Sequence, residues 1–210
     1  MKKVILLIAL MLIGTAVFAQ QNGYLQSARN AIQSGNYDAA IENYSKAIEN
    51  NSNYGPAYYG RGLANYYKNN FDAAEKDLTK AIALEGDKAD YYYTRGMARV
   101  RLGKAEYAED DLVKTTEIDA GYAEAYYELG NIAVERKNYD KAVDLYSKAI
   151  AADADYGQSY YGRGVAYKYL ENYSAALDDF EQYLEIRGNQ DNLEGETRRL
   201  IGVILEEQED

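Results

Sequence analysis

The 210 residues carry 34 acidic against 23 basic side chains, a net charge of −11, and include no cysteine and no histidine. That balance excludes a nucleic-acid partner, because phosphate binding needs a basic footprint. The missing thiols and imidazoles exclude disulfides, cysteine nucleophiles, His-centred triads and the usual zinc sites.

Lys2 and Lys3 open the chain, an apolar run follows from Val4 to Phe18, and Val17-Phe18-Ala19 makes a small-x-small-like exit before Gln20. The pattern predicts a secretory signal peptide over residues 1–19, cleaved after Ala19. The run is short of the ~20 residues that a membrane-spanning helix needs; a retained anchor is the rival reading. No cysteine follows the cleavage site, which excludes a lipid-attached product. The expected location is a bacterial envelope, periplasmic or secreted, with no stable membrane span once the signal is removed.

Residues 20–210 read as one domain organised by a 34-residue period without insertions. Counting from Gln21 as position one, position eight is Ala28, Gly62, Gly96, Gly130 and Gly164, and position twenty is Ala40, Ala74, Ala108, Ala142 and Ala176. The units are 21–54, 55–88, 89–122, 123–156 and 157–190. Each divides into two helical halves at a polar hinge: Ser34-Gly35-Asn36, Asn69-Asn70, Gly103-Lys104, Lys137-Asn138 and Glu171-Asn172. Gly and Asn are the residues that let a helix stop in the left-handed region, and the second halves are expected to end near Gly86, Gly121, Gly157 and Gly188. After Gln190, Asp191 and Glu194 form a candidate capping box. Leu193, Thr197, Leu200, Ile201, Ile204 and Leu205 then recur at helical spacing, as a terminal capping helix requires. Glu206 to Asp210 reads as a frayed acidic tail.

A unit with an aromatic at position four, Gly or Ala at eight, an aromatic at seventeen, Ala at twenty and usually at twenty-seven resembles the tetratricopeptide repeat family. The resemblance covers Gln21 to Gln190. It implies an all-α fold, a right-handed α-solenoid of five helix-turn-helix units plus the C-terminal capping helix. Departures are tyrosine in place of tryptophan at position four (Tyr24, Tyr58, Tyr92, Tyr126, Tyr160) and no proline at position thirty-two. Unit three matches least well, with Ala105 at seventeen and Thr115 at twenty-seven, so its contact with unit four is expected to be the weakest. Tyr183 at twenty-seven requires the second helix of unit five to pack differently against the segment after it.

At 100° per residue, positions four, seven, eight and eleven of each first helix share one side. The small residue at eight marks that side as the seam with the second helix, so the position-four tyrosines are expected in the core. Position seven is Arg61, Arg95 and Arg163 where position twenty-three is Asp77, Asp111 and Asp179; in unit four both become leucine, Leu129 and Leu145. A charge pair exchanged wholesale for an apolar pair predicts three structural ion pairs within units: Arg61–Asp77, Arg95–Asp111 and Arg163–Asp179.

The opposite side holds Tyr59, Tyr93, Tyr127 and Tyr161 at position five and Leu63, Met97, Asn131 and Val165 at nine. Tyr66, Tyr67, Arg101 and Tyr169 follow at twelve and thirteen. The family resemblance implies that this side lines a concave groove, and tyrosine suits a recognition surface through contact area at low rotamer cost. Charges along it are mixed, with Asp90, Glu124 and Glu135 against Arg29, Arg101 and Lys168. The family's lysine and asparagine clamp for a C-terminal carboxylate finds only Asn131 here. Acidic groups on the second helices, among them Glu106, Glu109, Asp110, Asp178 and Glu181, are expected to solvate the outer face. The reading is a non-catalytic scaffold that grips a protein or peptide in a tyrosine-lined groove, with no catalytic residue, metal or cofactor. The alternative is a self-assembling structural module, a homo-oligomer through the groove or the array ends.

Overall fold

The computed structural model describes residues 20–187 and 193–209, all of it helix and short turns. The expected signal peptide and Asp191 of the capping box lie outside those residues. α1 is described over residues 20–33, and α2 to α5 are Tyr37–Asn50, Gly55–Tyr67, Phe71–Leu84 and Ala89–Arg101. α6 is Ala105–Ile118, α7 Ala123–Glu135, α8 Tyr139–Ala152, α9 Gly157–Tyr169, α10 Tyr173–Arg187 and α11 Glu194–Glu209. They form five helix pairs and a capping helix in two compact units, Met1–Ala108 and Glu109–Asp210, the division falling inside α6.

Every pair turns at the same place. Position fifteen takes a left-handed backbone in all five repeats: Gly35 (φ 72°), Asn69 (62°), Gly103 (71°), Lys137 (59°) and Glu171 (59°). The next residue then donates its N–H back to the carbonyl five residues earlier, at 2.8 Å for Asn36 to Ala31 and 2.9 Å for Asn138 to Ala133, closing the first helix by its own orphan carbonyls. Asn36 and Asn138 go on to cap the second helix, accepting from the N–H groups of Ala39 and Lys141. The far ends of the second helices behave differently. Gly86, Gly121 and Gly157 are not among the positive-φ residues. The chain leaves α2, α4 and α8 through extended backbone at Asn51, Glu85 and Asp153. Side chains at that position then accept N–H groups two residues on, Asn51 from Asn53 at 3.0 Å and Asp153 from Asp155 at 2.9 Å. A carboxylate or amide there breaks the helix, so no glycine is needed.

Between the helices, position twenty-four sits deepest. Tyr44 and Leu78 in the first compact unit, and Tyr146 and Phe180 in the second, are buried. Each needs glycine opposite. A Cβ on Gly60 would lie 2.2 Å from the Tyr44 ring, and one on Gly62 2.9 Å from Leu78. In the second unit Tyr146 is held between Gly130 of its own repeat and Gly162 of the next, where Cβ atoms would approach to 2.5 and 2.7 Å. Tyr183, the odd residue at position twenty-seven, is fully buried with its ring 5.5 Å from that of Tyr161. α11 closes the end by laying Leu200 and Ile204 on Ala176 and Phe180, while Leu205 stays half exposed. The helix continues through Glu209 instead of fraying at Glu206, consistent with the helix propensity of Glu and Gln.

Lys137 and Glu171 hold a conformation that side chains with a Cβ adopt at a cost of about 1 kcal/mol. Lys137→Gly and Glu171→Gly should each raise stability by ~0.5–1 kcal/mol, and Gly35→Ala should lower it by a similar amount. Thermal melts followed by circular dichroism check all three; a lower melting temperature for Lys137→Gly contradicts the assignment. Ser159 offers an independent check on the core, since its hydroxyl is buried without a hydrogen-bond partner where units two and four have Ala57 and Ala125. Ser159→Ala should therefore be stabilising.

Candidate functional site

The position-seven arginines turn inward and are engaged. Arg61 Nε and Nη2 donate to the two carboxylate oxygens of Asp77, both at 2.8 Å, while Nη1 donates to Ser45 Oγ of the preceding repeat at 3.0 Å. Arg163 repeats the pattern on Asp179, at 2.8 and 2.7 Å, with Ser147 Oγ at 2.9 Å. Arg95 Nη1 meets Thr79 Oγ1 at 3.2 Å. The hydroxyl at position twenty-five is a partner that sequence reasoning missed. A signal existed: that position is Ser45, Thr79 and Ser147 before the arginine repeats and Val113 before Leu129. Hydrogen bonds donated to Asp77 and Asp179 hold both guanidiniums above the ordinary arginine range.

The position-four tyrosines are half-buried and not core, which corrects the sequence reading. The arginine one turn on lies over the ring, 5.7 Å away for Tyr58, 5.6 Å for Tyr92 and 5.7 Å for Tyr160. Tyr24 and Tyr126, with Ser27 and Leu129 at position seven, are half-buried as well, so the position itself lies at the border of the seam. Glu109 is likewise no mere solvating group. It accepts from Lys141 at 3.1 Å and from Arg136, while Glu75 accepts from Arg99 at 2.9 Å and from Lys104. Burial alone would raise the Glu75 carboxyl, but the Lys104 and Arg99 hydrogen bonds outweigh it and hold it below its usual 4.5.

On the opposite side, the first compact unit has a cleft of about 360 Å³. α1 contributes Leu25, Arg29, Ile32 and Gln33; α3 contributes Pro56, Tyr59, Gly60 and Leu63; Tyr44 of α2 lies between them. Tyr59 is half-buried, stacked on Tyr91 at 4.6 Å, and burial lifts its hydroxyl to about 12. Tyr66 leans on Phe71 and Tyr67. Tyr67 stacks on Tyr37 at 5.2 Å, and Arg101 lies 5.0 Å over Phe71. Position thirteen is thus a seam contact with position seventeen of the repeat before, exposed at its rim. Tyr93 and Met97 are half-buried.

The second unit has its own face. Tyr127 leans edge-on against Tyr156, with its ring 5.7 Å from that of Tyr146. Asn131 is committed internally, accepting from the Tyr146 hydroxyl at 2.7 Å and donating to Glu128 at 3.2 Å. Tyr161, Val165, Lys168 and Tyr169 of α9 line a cleft of about 230 Å³ with Glu196, Arg199 and Leu200 of α11. Tyr169 stacks face to face on Tyr139 at 4.6 Å and is 60 % exposed, the most open ring of the predicted set. Among the described residues no group of His, Cys, Asp and Glu is placed to hold a metal, and no helix is long and apolar enough to cross a membrane.

Family models described as tetratricopeptide repeat match residues 25–90, 59–120 and 121–189. No curated protein matches. Among solved structures the chain is similar to MamA, 25 % identical with a TM-score of 0.71 over 80 % of this chain and 92 % of that one. It is similar to YrrB, described as a tetratricopeptide repeat protein with an unusual peptide-binding site, at 24 % identity and TM-score 0.65 over 80 % and 86 %. The Pseudomonas aeruginosa PilF structure matches 90 % of each chain with a TM-score of 0.76 at 15 % identity.

Arg163→Leu leaves Asp179, 5 % exposed, without its cation and should cost about 3–5 kcal/mol. Adding Asp179→Leu should recover most of the loss, because Leu129 and Leu145 occupy the same positions in unit four; equal melts for single and double variants contradict this. Glu75 gives a pH test. Its folded pKa is depressed, so its contribution is present above 4.5 and lost as pH falls through the folded value. Glu75→Gln should lower the melting temperature at pH 7, and its gap from wild type should narrow as the pH falls below 4.5.

Proposed function

The chain belongs to the tetratricopeptide repeat family, and we propose that it is a non-catalytic scaffold that binds a protein or peptide along the tyrosine-rich face of its first helices. The observation that carries this is the division of labour between the two sides of those helices. The seam side is saturated: bidentate ion pairs, glycines against rings, buried alanines. The other side keeps accessible apolar and aromatic surface in both compact units, with clefts of about 360 and 230 Å³. Surface of that kind on a repeat array is where partners bind. No nucleophile–base constellation competes with this reading, and family members are scaffolds as a rule. The site reads as Tyr59, Leu63, Tyr93, Met97, Tyr127, Tyr161, Val165 and Tyr169. Asn131 supports Tyr146 from within, and Tyr66, Tyr67 and Arg101 form its margin. Export completes the proposal, with residues 1–19 as a cleaved signal and the envelope as the working place, on the strength of the Lys2-Lys3 start, the apolar run and the Ala19 exit.

Photo-crosslinking in cells tests the face. A benzophenone amino acid at Leu63 or Val165 should yield adducts with a different protein or peptide, and one at Lys76 of α4 should yield none. Adducts made only with further copies of this chain would favour self-assembly; equal yields from both sides would overturn the reading. Intact mass of the exported protein should show the chain beginning at Gln20, and retention of Met1 would refute cleavage.

A further inference from the structure

The geometry points to the cleft between α1 and α3 as an anchor site for a partner segment in which a bulky apolar residue is followed by Asp or Glu, the carboxylate being taken by Arg29. This rests on the proposed binding face and says what one part of it selects. The floor and walls are apolar: Leu25, Ile32, Pro56, Leu63 and the edge of Tyr59. Among the described residues, no acidic side chain lines it. At about 360 Å³ it lies at the small end of ligand sites, room for one or two side chains.

Arg29 is what gives the cleft a sign. Among the described side chains, the other arginines are occupied. Arg61, Arg99, Arg136, Arg163, Arg198 and Arg199 bind carboxylates, Arg95 binds Thr79, and Arg101 lies over Phe71. Arg29 makes no hydrogen bond, ion pair or ring contact with a described residue, although 34 acidic residues make the chain strongly anionic. It is exposed at the cleft. Arg29 and Tyr44 line the same cleft, and while burial raises the Tyr44 hydroxyl, the Arg29 charge acts against that rise. The same hydroxyl reaches the wall at Gly60, 2.6 Å from where a Cβ would stand. A carboxylate entering here meets a free guanidinium and a phenolic donor beside an apolar floor, the pairing that recognises an acidic-apolar dipeptide. The other cleft differs in carrying an acidic side chain in its own lining, Glu196, which pairs with Arg199 at 2.6 Å beside Lys168.

The test is an array of immobilised octapeptides, N-acetylated and C-amidated. Each carries Leu, Phe or Tyr followed by Glu, Gln or Lys in a Gly/Ser frame, and the array is probed with labelled full-length chain in mild detergent. Glu peptides should be held at least about tenfold more tightly than Gln peptides, and Lys peptides least. Arg29→Glu, a change on an exposed side chain that leaves helical dichroism intact, should reverse the order so that Lys peptides bind best. Leu63→Asp should abolish binding of all three. Equal retention of Glu and Gln peptides overturns the inference, as does an unchanged order in Arg29→Glu or the retention of no peptide. The broader binding face is judged separately, since its cross-linking does not depend on peptide sequence.

Discussion

The structure depends on one steric bargain, a large side chain on the second helices α2, α4, α8 and α10 pressed against glycine on a first helix. Tyr146 is the clearest case, its ring bounded by Gly130 and Gly162 so closely that a methyl group on either would lie inside van der Waals contact. A buried aromatic removes ~150–250 Å² from water. Placing one between two helices of successive repeats ties repeat to repeat without a proline in the joint. The small residue is therefore required at position eight for the unit's own second helix and, where the previous repeat has tyrosine at position twenty-four, at position six as well. Position six changes with its partner: Gly60 and Gly162 follow Tyr44 and Tyr146, whereas Thr94 follows Leu78.

That packing explains where polarity is allowed. With the middle of each seam taken by rings and alanines, charges collect at its border in a column of position-four tyrosine, position-seven arginine, position-twenty-three aspartate and a hydroxyl from the repeat before. A partly buried ion pair is weak evidence for net stability, and an apolar pair of equal volume often does as well. Unit four makes that substitution with Leu129 and Leu145. What the arginine version adds is geometry: a bidentate fork fixes the rotation of one helix against its partner, and the third nitrogen fixes the neighbouring repeat. The stacked pairs Tyr37–Tyr67 and Tyr139–Tyr169 do the corresponding work at the outer border.

The period, the ten paired helices and the position-fifteen hinge were legible in the sequence because each is enforced at a fixed spacing by a residue type with few substitutes. Lys137 and Glu171 show the limit of composition: the backbone there is left-handed because the closing hydrogen bonds demand it, whatever residue is present. Gly86, Gly121 and Gly157 show the converse, glycines near helix ends that carry no positive φ. Helix-wheel angles placed the position-four tyrosines on the seam side correctly but could not tell its middle from its border, where all five lie half-buried. Glu109 was misread because its partners Arg136 and Lys141 come from the next repeat. A charge clamp between repeats leaves no trace in the register of either unit alone.

The face left for binding inherits its character from the same seam. Tyr59, Tyr127 and Tyr161 are each braced from below, by Tyr91, by Tyr146 and Tyr156, and by Phe180 and Tyr183. Their rotamers are settled when the chain folds, so a partner docking on the exposed edges need not order them again, and that saves about 0.5–1.5 kcal/mol per side chain. Burial also raises the hydroxyls of all three, Tyr59 to about 12. They therefore remain neutral donors across physiological pH, in a chain whose net charge is −11. A face of phenols held rigid and uncharged contributes contact area without adding to that field. Selectivity then falls to the few formal charges that edge it, and their placement in each repeat is what distinguishes one partner from another.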